Sequence, residues 1–181
     1  MNEREKQKFI DFYYSGKIRG RYYLEFPLGM KRLLEEAQER KRLSRVIGES
    51  ENSEDFWERL LLSGLKWADV ICIEAPDIYK GSYEEDVMEI GKRRLKDLKI
   101  NVREGWKMFK DEFRRAFLYR RVWVIEVEET LNDESIGQVL TYASIFEEDF
   151  NKKAYKGIIC NSLEPRLLGT CRKNNIQVWK I

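Results

Sequence analysis

Residues 122–129 read VWVIEVEE, an apolar run that closes on acids at alternate positions. A strand sends successive side chains to opposite faces, so Val122, Val124, Glu126 and Glu128 share one face while Trp123, Ile125 and Val127 share the other. Two carboxylates therefore stand side by side at the end of a buried strand. Burying an unpaired carboxylate costs several kcal/mol, by order of magnitude. Such a pair either runs out into water beside lysines and arginines, or it is neutralised by a cation or metal.

The composition narrows the chemistry these acids could take part in. The chain has 181 residues and no histidine, which rules out Ser-His-Asp and Cys-His catalysis and His-ligated zinc. Cys72, Cys160 and Cys171 lie in or beside apolar runs without CxxC spacing, as expected of buried free thiols in a reducing compartment. Lys plus Arg number 34 against 32 Asp plus Glu, so net charge gives no steer towards a polyanion. The content of 43% hydrophobic and 36% charged residues predicts one folded domain, with a charge density that suits the ion-pair networks of a thermophile. The N-terminal MNEREKQKF has no signal-peptide core and no apolar run reaches membrane-spanning length, so the reading is a soluble, cytoplasmic protein.

The elements that must position the acids follow from periodicity. Met30 to Ile47 has the spacing of an amphipathic helix, Gly48 to Ser53 is the most polar connector, and a capped helix follows up to Gly64. Residues 1–52 are read as a helical N-terminal extension and 53–181 as the main unit. Asp69 to Ala75 (DVICIEA) is a strand stopped by Pro76-Asp77. Tyr83 to Tyr119 is charged with helical spacing, broken by KINV, which has the makings of a short strand. Arg121 to Glu128 is the second strong strand, followed by a helix from Asp133 or Glu134 to Phe146. Tyr155 to Cys160 is a strand, Leu163 to Asn174 a helix, and Ile176 to Ile181 a closing strand. Alternation of this kind predicts an α/β fold, a mixed sheet flanked by helices.

An apolar strand ending in Glu126-Val127-Glu128, preceded by a strand carrying Asp and followed by a helix carrying Gln, resembles the PD-(D/E)XK nuclease superfamily. Gln138 to Tyr142 matches the QxxxY helix motif of its RecB-like branch, and the resemblance covers roughly Ser53 to Ile181. It implies a restriction-endonuclease-like core, DNA as substrate, a homodimer, and Mg²⁺ or Mn²⁺ as cofactor. Glu126 would be a metal ligand, with the Val127 carbonyl beside it, and Glu128 a ligand or a partner of the attacking water. Glu128 stands where the family usually carries lysine. Gln138 and Tyr142, four apart on one helix face, would hold a phosphate or orient the acids. A hard divalent ion fits a chain without histidine, because Mg²⁺ prefers carboxylate and water oxygens, activates water and offsets phosphate charge.

Two acids compete for the remaining ligand position. If DVICIEA pairs antiparallel with VWVIEVE, its start lies beside the other strand's end and Asp69 comes near Glu128; if the pairing is parallel, Asp77 is the neighbour. The PD of Pro76-Asp77 fits the family name, while the antiparallel hairpin of the family favours Asp69. The other functional class is a catalytically inactive nuclease-fold protein that binds nucleic acid or a protein, which Glu128 in the lysine position favours. The basic groups at Gly91 to Lys96, Arg114-Arg115, Arg120-Arg121 and Lys152-Lys153 read as DNA contacts or, given the interleaved acids, as a solvated ion-paired face. Trp106, Phe109, Phe113 and Phe117 recur at helical spacing and read as core or dimer surface.

Overall fold

The computed structural model describes residues 1–47, 64–75, 81–90 and 102–181. The polar connector at 48–53, the helix expected after it, Asp77, Lys80, the basic group at 91–96 and most of KINV lie outside the described residues.

Helix α1 (Glu3–Ser15) starts on a capping box: the Asn2 side chain accepts from the Glu5 N–H at 3.0 Å, and the Glu5 carboxylate accepts from the Asn2 N–H at 2.6 Å. It leads into strand β1 (Gly20–Leu28) and helix α2 (Met30–Ile47). Strand β2 (Lys66–Glu74), the one-turn helix α3 (Tyr83–Asp86) and the short strand β3 (Val87–Glu89) come next. Helix α4 (Val102–Phe117), strand β4 (Val122–Thr130), helix α5 (Asp133–Phe150) and strand β5 (Tyr155–Ser162) follow. A 3₁₀ turn (Pro165–Leu167), helix α6 (Leu168–Lys173) and strand β6 (Ile176–Lys180) close the chain as described.

The strands form one mixed sheet in the order β3-β1-β2-β4-β5-β6. β1 with β2 and β2 with β4 pair antiparallel; β4 with β5, β5 with β6 and β1 with β3 pair parallel. The fold is thus α/β, with helices on both faces of a six-stranded sheet. One face packs against α4 and α5 through Phe26, Val124, Phe117, Phe146 and their neighbours; the other packs against α1 through Phe9, Phe12, Tyr22, Val70, Ile125 and Val127. Among the described residues no helix is long and apolar enough to cross a membrane.

Two parts of the sequence reading are corrected. Gly20–Leu28, assigned to a helical extension, is a sheet strand: its aromatic and branched side chains are buried on both faces, which a strand at the heart of a sheet requires and an amphipathic helix cannot supply. Val87–Glu89, assigned to a helical stretch, is extended because the edge of β1 at Tyr22 to Leu24 offers unpaired backbone groups, and that tertiary pairing overrides local helical spacing. Elsewhere the sheet follows expectation, with α5 running four residues past the predicted Phe146.

The sheet changes its alternation at one rung. Tyr22 and Leu24 point into the α1 core, yet Phe26 and Leu28 point into the opposite one; on β2, Val70 and Cys72 face α1 while Ala68 faces away. The switch falls at Glu25, whose φ is +50°, and at Asp69, which stands across from it in the register of Leu24↔Val70 and Phe26↔Ala68. Both residues are acids.

The start of helix α2 is fastened to helix α5 by a buried acid of that helix. Asp149, buried near the end of α5, accepts from the N–H of Gly29 at 2.7 Å and of Lys31 at 3.0 Å, taking up donors that the first turn of α2 leaves free. Gly29 itself has φ +91°, which glycine adopts without steric cost. Asp149→Ala is expected to lower the free energy of unfolding by about 2 kcal/mol, read from urea denaturation, with Asp149→Asn recovering part of it.

Candidate functional site

β2 and β4 pair from Ile73↔Val122 to Val70↔Ile125 and stop there. The next rung in the same register sets Asp69 opposite Glu126. In place of a further ladder bond, the Val127 N–H donates to Asp69 Oδ2 at 2.9 Å, so a side chain closes the seam that the backbone leaves open. On its other side β4 keeps pairing with β5 through Glu126↔Ile158 and Glu128↔Cys160. The result is a notch between the start of β2 and the end of β4, with the two acids facing each other across it.

The antiparallel arrangement brings Asp69 to the site, opposite Glu126 and one step from the expected neighbour Glu128. β2 leaves the sheet at the far end, where the Glu74 N–H bonds to the Arg121 carbonyl at 2.9 Å.

The electrostatics of the notch are those of crowded carboxylates. Glu126 is only 4% exposed, and its Oε1 is buried without a hydrogen-bond partner among the described residues. Burial first, and the adjoining Asp69 charge second, push its carboxyl up to about 9; the Asp69 backbone N–H opposes this in part. Asp69 is pushed to about 6, again by burial, with the Val127 N–H and the Met1 amino group pulling it down and Glu5 and Glu128 pushing it up. Glu128, half-buried on the same face of β4, is raised by burial and then by Glu5 and Glu134, against Lys8.

Helix α5 looks onto the notch. Tyr142 is raised first by burial and then by the charges of Glu126, Asp69 and Glu134. Gln138, one turn earlier, donates from Nε2 to Glu134 Oε1 at 3.4 Å, at the rim. The structure thus gathers Asp69, Glu126, Glu128 and Tyr142, with Gln138 at the edge of the group.

Helix α1 adds residues that the sequence reading missed. Glu5 contributes charge to Asp69, Glu126 and Glu128 alike. Lys8, 5% exposed, pairs with Glu129, whose other oxygen accepts from Asn161 Nδ2 at 3.1 Å. This ties α1 to β4 and β5. Glu25 receives the Met1 amino group at 3.0 Å. The spacing Asn2-x-x-Glu5 signals a helix start, but no local pattern tells which strand end that helix overhangs.

Among the described residues no group of three or more Cys, Asp or Glu is arranged as a ready-made metal cage. That still fits Mg²⁺, which keeps several waters and takes one or two carboxylates. The orphaned Glu126 oxygen beside Asp69 is a donor set of that kind. Comparison of the chain with protein-family models, with curated proteins and with solved structures found no match in any of the three.

Because Glu126 and Asp69 titrate well above their ordinary range, the folded chain holds more protons than the unfolded chain between roughly pH 4 and pH 9. Stability without added metal is therefore expected to fall as pH rises through that window. Thermal melts of the metal-free protein across the window should show the decline, and Glu126→Gln, which cannot ionise, should flatten it.

Proposed function

We propose that this chain is a divalent-metal-dependent nuclease that hydrolyses DNA phosphodiester bonds at the notch between β2 and β4, on a restriction-endonuclease-like core. The observation that carries the reading is the buried Oε1 of Glu126, which has no partner among the described residues, beside Asp69. A buried carboxylate pair is costly unless a proton or a cation sits with it, and a hard divalent ion satisfies both acids at once. The pairing order supports the same core: an antiparallel β2–β4 pair, then β5 added parallel to β4 through α5.

Asp69 and Glu126 would hold the ion, which when bound neutralises phosphate charge and makes a water acidic enough to attack. Asp69 is fixed for this by the Val127 N–H. Glu128, less buried on the same face, accepts a proton at the mouth of the notch. Tyr142 donates its hydroxyl towards the same acids or a phosphate held between them, and Gln138 offers an amide N–H at the rim. Lys8 supplies fixed positive charge beside Glu128. Two copies cutting two strands is the homodimer of this reading, and three buried free thiols suit a reducing cytoplasm.

The test is cleavage of single-stranded, duplex and branched DNA with Mg²⁺ or Mn²⁺, alongside Mn²⁺ titration by calorimetry. Wild type should cut only with metal, and Glu126→Ala should lose at least about a hundredfold in rate together with the Mn²⁺ heat. If no substrate is cut and no Mn²⁺ binds to the folded protein, the enzyme reading falls. The second reading then stands: a catalytically silent nuclease-fold protein, favoured by Glu128 in the lysine position.

A further inference from the structure

We propose that the turn joining α4 to β4 is a separate contact for single-stranded nucleic acid, stacking an unpaired base on Tyr119 while Arg114, Arg115 and Arg121 take the neighbouring phosphates. The stretch from Phe113 to Arg121 reads FRRAFLYRR, with arginines on both sides of an aromatic pair and no acid between them. Phe113 and Phe117 are buried and anchor the end of α4 in the core, so Arg114 and Arg115 project from its last turn and are exposed.

The backbone then turns tightly, with the N–H of Arg120 bonded to the Phe117 carbonyl at 3.3 Å. Tyr119 takes φ +64°, a left-handed conformation that costs a residue with a Cβ about 1 kcal/mol. The residue is 97% exposed, so burial in the fold does not offset that cost. Leu118 beside it is 49% exposed and Tyr155, which opens β5, is 47% exposed. The guanidinium of Arg121 lies over the Tyr155 ring, 5.5 Å from its centre, and reaches Glu74 only at 4.0 Å.

Exposed aromatic rings among arginines are the surface on which single strands bind: rings accept base faces whatever the sequence, and guanidinium groups follow the backbone. A second copy of the chain would bring the same cluster of positive charge to the contact and be repelled by it. From Val122 to Glu126 the strand covers about 13 Å, so this surface lies at the other end of β4 from the acid notch. It stands independently of whether the notch cleaves anything.

The experiment is fluorescence anisotropy with a labelled oligothymidylate of about 20 nucleotides, and with a duplex of the same length, over a series of salt concentrations. Wild type should bind the single strand in preference to the duplex. Tyr119→Ser should weaken that binding about tenfold, and Arg114→Gln with Arg115→Gln should reduce the salt slope by about 1.4, with melting temperatures unchanged. Absence of binding at low salt, equal binding by the Tyr119 variant, or preference for duplex would overturn the proposal. So would a dimer in light scattering that dissociates in Tyr119→Ser, which would give the surface to a second copy.

Discussion

Two carboxyl groups face each other where β2 and β4 cease to pair, and the structure around them is organised by the need to keep them there. An antiparallel seam that simply frayed would expose both acids to water and relax their charges. Here the Val127 N–H is claimed by the Asp69 side chain, so the strands part while remaining fixed. Glu126 stays buried with one oxygen unsatisfied among the described residues. Such an arrangement raises both carboxyls until a proton or a cation joins them.

The surrounding elements add to the same bias. α5 brings Tyr142 and Glu134 over the notch, and α1 brings Glu5 above it. Lys8 offsets part of that charge but spends its hydrogen bond on Glu129, at the outer side of the strand. Negative potential is therefore left concentrated on one strand end, while the turn at Tyr119 and its arginines gathers positive charge at the opposite end of β4. Near-zero net charge over the whole chain conceals this separation.

How much of this was legible in the sequence depended on whether the signal was local. β4, α5, β5 and β6 could be read because each carries its own periodicity, and the E-x-E ending announced the acids of β4. Asp69 stood beside Asp77 as an alternative that geometry left open, since parallel or antiparallel pairing decides which acid lies beside the end of β4. The resemblance favoured the antiparallel choice, and the pairing of β2 with β4 is antiparallel. β1 was not legible: buried on both faces, it lacks alternation, and its partner β2 lies beyond a long helix. β3 owes its extended form to an edge of β1 rather than to its own residues. Glu5 and Lys8 reach the site only through the packing of Phe9, Phe12 and Tyr13, which no motif encodes.

The reversal of alternation at Glu25 and Asp69 has a bearing on how this chain can vary over time. Phe26 and Leu28 reach the α5 core only because the switch in β1 lies across from the switch in β2. A residue gained or lost in one strand alone would slide the two switches apart and turn large side chains from one core to the other. Each strand therefore holds the other to a fixed length, and insertions and deletions in this lineage belong in the segments between helices and strands.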